Sequence, residues 1–139
     1  MNRVFLDTNV LLDIIENREK RDLACQIIEW AAQDQFRRVY VSSLTMANAA
    51  FVIRRRGVED VKQCISECMH FCNVLPMNDA QIYEVCRSGS SPDFEDNLQI
   101  MCAEYGNCDV IVTSNVDHFR AHTNIPVLSP EDFVGHFGK

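Results

Sequence analysis

Short, continuously apolar runs alternate along this chain with longer stretches whose apolar residues recur every three or four positions. Val4-Phe5-Leu6 is the first run, of the kind a fully buried strand carries. Asp7-Thr8-Asn9 follow with a carboxylate and two helix-capping side chains. Val10, Leu11, Ile14 and Ile15 then fall at helical spacing as far as a break at Asn17-Arg18. Leu23, Ile27, Ile28 and Ala31 predict a second helix, and Val39-Tyr40-Val41 a second strand that Ser42-Ser43 close while capping a third helix. That helix is expected to carry Leu44, Ala47, Phe51 and Val52 on one side, to end in Arg54-Arg55-Arg56 and to stop at Gly57. A fourth helix runs from Val58 to about Phe71, Val74-Leu75 form a third strand, and Asn78 caps a fifth helix. Ser88 to Pro92 reads as the most flexible stretch, with a sixth helix starting at Ser91-Pro92 and ending at Gly106. Val110 to Thr113 and Ile125 to Leu128 are the fourth and fifth strands. Pro126 confines the last of them to an edge, and Pro130 opens a terminal helix. Strands separated by helices throughout give an α/β fold with a mainly parallel sheet.

Composition changes this picture little. The 139 residues suit one domain, 1–139, with no repeat and no linker. No apolar run approaches the ~20 residues of a membrane-spanning helix, and Asp7 and Asp13 interrupt the segment in which a signal peptide would be uniformly apolar. Seven cysteines form no CxxC pair; Cys64, Cys68 and Cys72 fall on one helical stripe and read as small buried hydrophobes of a reducing cytoplasm. A net charge of −7 argues against a constitutive nucleic-acid coat protein, yet admits an enzyme whose acids gather in one pocket.

The acids are where the strands end. Asp7 closes the first strand, Asp117 lies just past the fourth, and Asp96 falls early in the sixth helix with Asp93 one turn before it. Ligands of open parallel sheets bind beyond the carboxyl ends of the strands. Asp7 alone reads most simply as a helix cap. If the first and fourth strands are neighbours, however, Asp7, Asp96 and Asp117 converge, and carboxylates so close repel unless a cation lies between them. Hard oxygen ligands with room for water suit Mg²⁺ or Mn²⁺, ions that activate water against a phosphodiester.

The chain resembles the PIN domains, many of them VapC-type toxins of bacterial toxin–antitoxin pairs. The resemblance rests on Phe5-Leu6-Asp7-Thr8-Asn9-Val10-Leu11-Leu12-Asp13, on Asp93-Phe94-Glu95-Asp96, and on Val110 to Phe119. The ending from Ile125 to Phe133 also looks like the family's. It implies a three-layer PIN-like fold whose five-stranded sheet has the order 3-2-1-4-5, and metal-dependent endoribonuclease activity on an RNA substrate. It also implies a homodimer restrained by an antitoxin. Asp7, Asp96 and Asp117 take the catalytic and metal-binding places.

Two positions depart from the family's pattern: Asn48 stands where PIN enzymes usually have a glutamate, and Asn115 where they often have an aspartate. A branch of the family looks similar at both. Each asparagine removes a negative charge, so cation affinity is expected to fall and substrate phosphate to complete the coordination. Thr8, Asn9, Ser43 and Thr113 are candidate supports for the carboxylates or for phosphate, and are equally explained as caps and turns. Asp93 ranks below Asp96, because acids are favoured at helix N-termini in general. Asp13 is expected to face solvent, and His118 and His122 to occupy loops without a catalytic role. Arg54-Arg55-Arg56 reads as a solvated helix end before it reads as a phosphate grip. A receiver domain and a haloacid-dehalogenase-type phosphatase both fail, the first for want of a lysine after the fifth strand, the second because Asn9 stands where its second aspartate belongs. The remaining rival is a PIN fold that binds RNA or protein without turnover.

Overall fold

In a computed structural model that describes residues 1–138, the strands β1 (Arg3–Leu6), β2 (Arg38–Ser42), β3 (Asn73–Leu75), β4 (Val110–Val112) and β5 (Val127–Leu128) form one parallel sheet in the order β3-β2-β1-β4-β5. The helices are α1 (Thr8–Ile15), α2 (Arg21–Ala32), α3 (Ser43–Val52), α4 (Val58–Cys68), α5 (Asp79–Ser88), α6 (Phe94–Tyr105), α7 (Val116–Arg120) and α8 (Pro130–Phe137).

The apolar strands are explained by burial on both faces. Val4 and Leu6 of β1, with Val39, Val41, Val110 and Val112 of its neighbours, pack on Leu11, Ala24, Ile27, Trp30 and Phe133 from α1, α2 and α8. Phe5, pointing the other way, joins Tyr40 and Ile111 against Ile100, Ala103 and Phe119 from α6 and α7. The central strand is thereby held from two sides, and its carboxyl end is fixed against β4 by the Asp7 N–H donating to Val112 O at 3.0 Å. Pro126 does precede an edge strand, and Ser129 caps α8 with Pro130 in its first turn.

Several expectations are corrected. The third helix ends at Val52, and Arg54–Arg56 form a separate 3-10 turn before Gly57, whose φ of +93° only glycine adopts without strain. Phe51, placed by its spacing on a core face, is 62% exposed. Helix α6 begins at Phe94 rather than at Ser91: the Asp93 carboxylate accepts from Asp96 N, while Ser91 Oγ accepts from Asp93 N. The stretch before it is pinned rather than slack, because the Asn97 amide accepts from Ser91 N and donates to Ser91 O, both at 2.9 Å. Asp13 is buried, and burial raises its carboxyl pKa against the lowering pull of Arg18 and Lys20. His118 lies on α7, a helix too short for the periodicity to reveal. Four of the seven cysteines are buried, and burial pushes Cys68 and Cys102 up to about 12 and Cys72 and Cys108 up to about 11. Only Cys86 is exposed. Among the described residues no helix is long and apolar enough to cross a membrane.

Candidate active site

Beyond the carboxyl ends of β1 and β4, a cleft of about 210 Å³ is lined by Asp7, Thr8, Asn9, Leu44, Asn48, Asp93, Glu95, Asp96, Gln99 and Asn115. The sheet order is what assembles it. Asp7 leaves the central strand, α3 brings Leu44 and Asn48 from the β2 side, and the first turns of α6 bring Asp93 to Gln99 across the top. Asn115 arrives from the end of β4.

Asp7 is both a helix cap and more than one. One carboxylate oxygen accepts from Thr8 N at 2.8 Å and from the Gln99 amide at 3.3 Å, and the other accepts from the Thr113 hydroxyl at 2.9 Å. Thr113 Oγ1 in turn accepts from Asn115 N at 3.0 Å, which ties the loop after β4 to the same carboxylate. These bonds favour the anion, but burial outweighs them: Asp7 is 7% exposed, and its pKa is raised, by desolvation first and by the charge of Asp93 last. Asp96 is raised too, by burial and then by the charges of Asp93 and Asp7, with His118 pulling the other way. Three carboxylates therefore feel one another across the cleft.

Beneath Asp7 lies a polar network that the sequence did not reveal. Gln99, 3% exposed, donates through its amide nitrogen to Thr45 Oγ1 at 2.8 Å and Thr8 Oγ1 at 3.1 Å as well as to Asp7. Its carbonyl accepts from Ser42 Oγ at 2.5 Å, which fixes the amide with its NH₂ toward the carboxylate. Ser42 also caps α3 by accepting from Thr45 N, so Ser42, and not Ser43, is the serine that serves the site. No buried side-chain polar atom among the described residues lacks a partner. The signal for this network was slight: a lone glutamine inside the apolar run Leu98 to Ala103, one turn after Asp96.

Of the residues singled out above, Asp7, Asp93, Asp96, Thr8, Asn9, Asn48 and Asn115 line one cleft, and Thr113 supports it from below. Asp117 does not join them: it is exposed in the first turn of α7 and absent from the cleft wall. Asn115 precedes α7 and lines the cleft, and the short helix that follows holds Asp117 outside the lining residues. The donor set is hard oxygen throughout, the carboxylates of Asp7, Asp93, Glu95 and Asp96 with the side-chain amides of Asn9, Asn48, Gln99 and Asn115 beside them. Among the described residues no group of three His, Cys, Asp or Glu side chains is arranged to hold a metal ion. The set fits an ion of the Mg²⁺ kind, which takes one or two carboxylates and fills its shell with water and substrate phosphate.

The PIN domain description matches residues 3–117, which spans β1 to the start of α7. No curated protein matches the sequence. Among solved structures, a crystal structure of VapBC2 from Rickettsia felis, bound to a DNA fragment from its promoter, contains a chain of the same fold. The TM-score is 0.70 over 91% of this chain and 98% of that one, at 16% identity. At that identity the likeness speaks for the fold alone.

Proposed function

The chain belongs to the PIN-domain family, and from that premise we propose that it is a metal-dependent endoribonuclease, the toxin of a toxin–antitoxin pair. The observation that carries this reading is the Asp7 carboxylate, buried, fixed on both oxygens and facing Asp96 and Asp93 across an open cleft. Asp7 and Asp96 would hold Mg²⁺ or Mn²⁺, which supplies Lewis acidity for phosphodiester hydrolysis when bound.

The chain's own residues do the positioning. Thr113, Thr8 N and Gln99 hold Asp7 in one orientation, so no conformational freedom is lost when a cation or a phosphate arrives. Asn48 and Asn115 present neutral amides that can meet the sugar–phosphate backbone without the repulsion a carboxylate would add. Asp93 caps α6 and adds the charge that makes a cation welcome. We place Asp117 outside the catalytic set and keep it as a residue of the rim.

The antitoxin and the homodimer are carried by family resemblance. A partner segment that laid an arginine in the cleft would answer the carboxylates with a bidentate guanidinium in place of the cation. A protein encoded beside this one should copurify with it and silence cleavage. The direct test is RNA cleavage with Mn²⁺ or Mg²⁺, wild type against Asp7→Asn, with EDTA as the blank. Cleavage that survives Asp7→Asn in full would place the chemistry elsewhere. A second reading, a PIN-fold module that binds RNA or a partner without turnover, is favoured by Asn48, Asn115 and the absence of Asp117 from the cleft wall. It expects RNA or partner affinity indifferent to Mn²⁺ and no cleavage at any metal concentration.

A further inference from the structure

The outer end of α3 carries a feature that the nuclease reading does not use. Phe51 exposes 62% of its surface although its helix is otherwise packed on the sheet side, and the Arg54 guanidinium lies over its ring, 3.9 Å from the centroid. Arg54 Nη1 also donates to Phe51 O at 2.8 Å, which ties the cation to the residue it covers. The three arginines of this segment are not alike. Arg55 and Arg56 both reach Glu16, whereas Arg54 has no carboxylate within ion-pair distance among the described residues. Its charge is free to answer an outside anion.

Position gives the pair its meaning. Leu44 and Asn48 line the cleft, and Phe51 follows Asn48 by three residues, on the same side of the helix and about 4.5 Å farther along its axis. An exposed aromatic ring backed by a guanidinium, one turn from a phosphate-handling cleft, has the composition of a stacking platform for an unpaired base. Resting on the reading of the cleft as a nuclease site, we propose that Phe51 and Arg54 stack a base of a single-stranded RNA next to the phosphodiester held at Asp7, with Arg54 also meeting the backbone phosphate. This makes the substrate single-stranded at the cut. A base inside a duplex has no free face to offer, and the platform gives no hydrogen-bond code for which base is taken.

The test uses a fluorescently labelled single-stranded oligoribonucleotide and the full chain in EDTA, where the RNA stays intact. Phe51→Ala is expected to weaken binding roughly five- to a hundredfold, the value of one base stacked on an aromatic. Phe51→Trp restores binding, and its new indole fluorescence is quenched as RNA is added, against the constant background of buried Trp30. Arg54→Lys, which keeps the charge but not the planar stack, weakens binding less than Arg54→Ala. Phe36→Ala, at an exposed aromatic in the turn that precedes β2 and so at the opposite end of the sheet, leaves binding unchanged. Unchanged RNA affinity in Phe51→Ala overturns the platform, and a simultaneous change in sedimentation would assign the ring to contact between copies of this chain. If wild type binds single strands through Phe51 but cleaves none with Mn²⁺, the nuclease reading falls and the platform stands. If it cleaves and Phe51→Ala cleaves with the same KM, the reverse holds.

Discussion

Two aspartates flank the central strands at opposite ends of the sheet. Asp109 precedes β4 at the amino-terminal end, where it accepts from Asn2 N at 3.0 Å and Arg3 N at 2.9 Å in open solvent. The amide bond from Asn2 is the largest cause of a lowered pKa, and Arg3, stacked over the Tyr40 ring at 4.3 Å, adds to it. Asp7 follows β1 at the carboxyl-terminal end and also accepts a backbone amide, yet its pKa is raised because burial outweighs its hydrogen bonds. The same residue type on adjacent strands is a settled anion at one end and an uneasy one at the other. The difference is solvent and neighbours: Asp109 is open to solvent beside cations, whereas Asp7 is shielded from solvent and faces further carboxylates. Structural charge is found where it is satisfied, and the candidate site where it is not.

The largest effect that sharpens this contrast is on turnover. Asp7→Asn should reduce metal-dependent RNA cleavage by more than about a hundredfold, since removing even a supporting partner of a metal ligand costs ten- to a hundredfold. Asp109→Asn should leave kcat/KM unaltered; a comparable loss there would erase the distinction between the two ends. Next comes the network under Asp7. Gln99→Leu removes the acceptor of the Ser42 hydroxyl and the amide that donates to Thr45 Oγ1 and to Asp7, and should destabilise the protein by about 1–3 kcal/mol in urea melts. Gln99→Glu, which keeps the shape and adds charge, should move the low-pH limb of the cleavage profile further than it moves the melting temperature.

Smaller effects lie in the pH dependence, where the two aspartates have opposite signs. Asp109 has a lowered folded pKa, so its contribution is present above the unfolded value of about 3.9 and is lost as pH falls through the folded value. Asp109→Asn should cost at most about 1 kcal/mol at neutral pH, given its exposure, and the gap to wild type should close on acidification. Asp7 has a raised folded pKa, so stability is fully present below the unfolded value and is lost as pH rises through the folded one. Without metal, Asp7→Asn should therefore melt at or slightly above wild type at neutral pH, converge with it below about pH 4, and gain less from Mn²⁺. Thermal melts at several pH values read both differences at once.

Most of the fold was legible because a parallel sheet writes itself plainly. Val4-Phe5-Leu6 and Val110-Ile111-Val112 are apolar throughout because both faces are covered, and Asn17, with φ +51°, stops the first helix where the sequence breaks. The acids at strand ends were legible for the same topological reason. Phe51 was misplaced because α3 is apolar nearly all round, so spacing could not say which side faced the core. Asp13 was misplaced because a single acid among apolar residues reads as the solvent side, whereas here it is buried near Arg18 and Lys20. Asp117 follows the end of β4 in sequence but lies exposed in the first turn of the short helix α7, outside the residues that line the cleft. The network of Ser42, Thr45 and Gln99 joins three elements through hydroxyls, and no one-dimensional pattern announces which polar residues will meet.

The sheet order also sets a timetable. β1 is synthesised well before β4, so Val4 finds its partner Val110 only once the chain has grown that far. Until then β1 can lie beside β2 alone, with its other edge a row of unpaired amides and carbonyls bordered by apolar side chains, a template for pairing with another chain. Contacts of such long sequence separation also slow the final closure. The Asp7 N–H waits for the same event, because its acceptor is Val112 O. A chain cut short of β4 is thus not a weaker version of this protein but a sticky fragment that lacks one wall of the cleft.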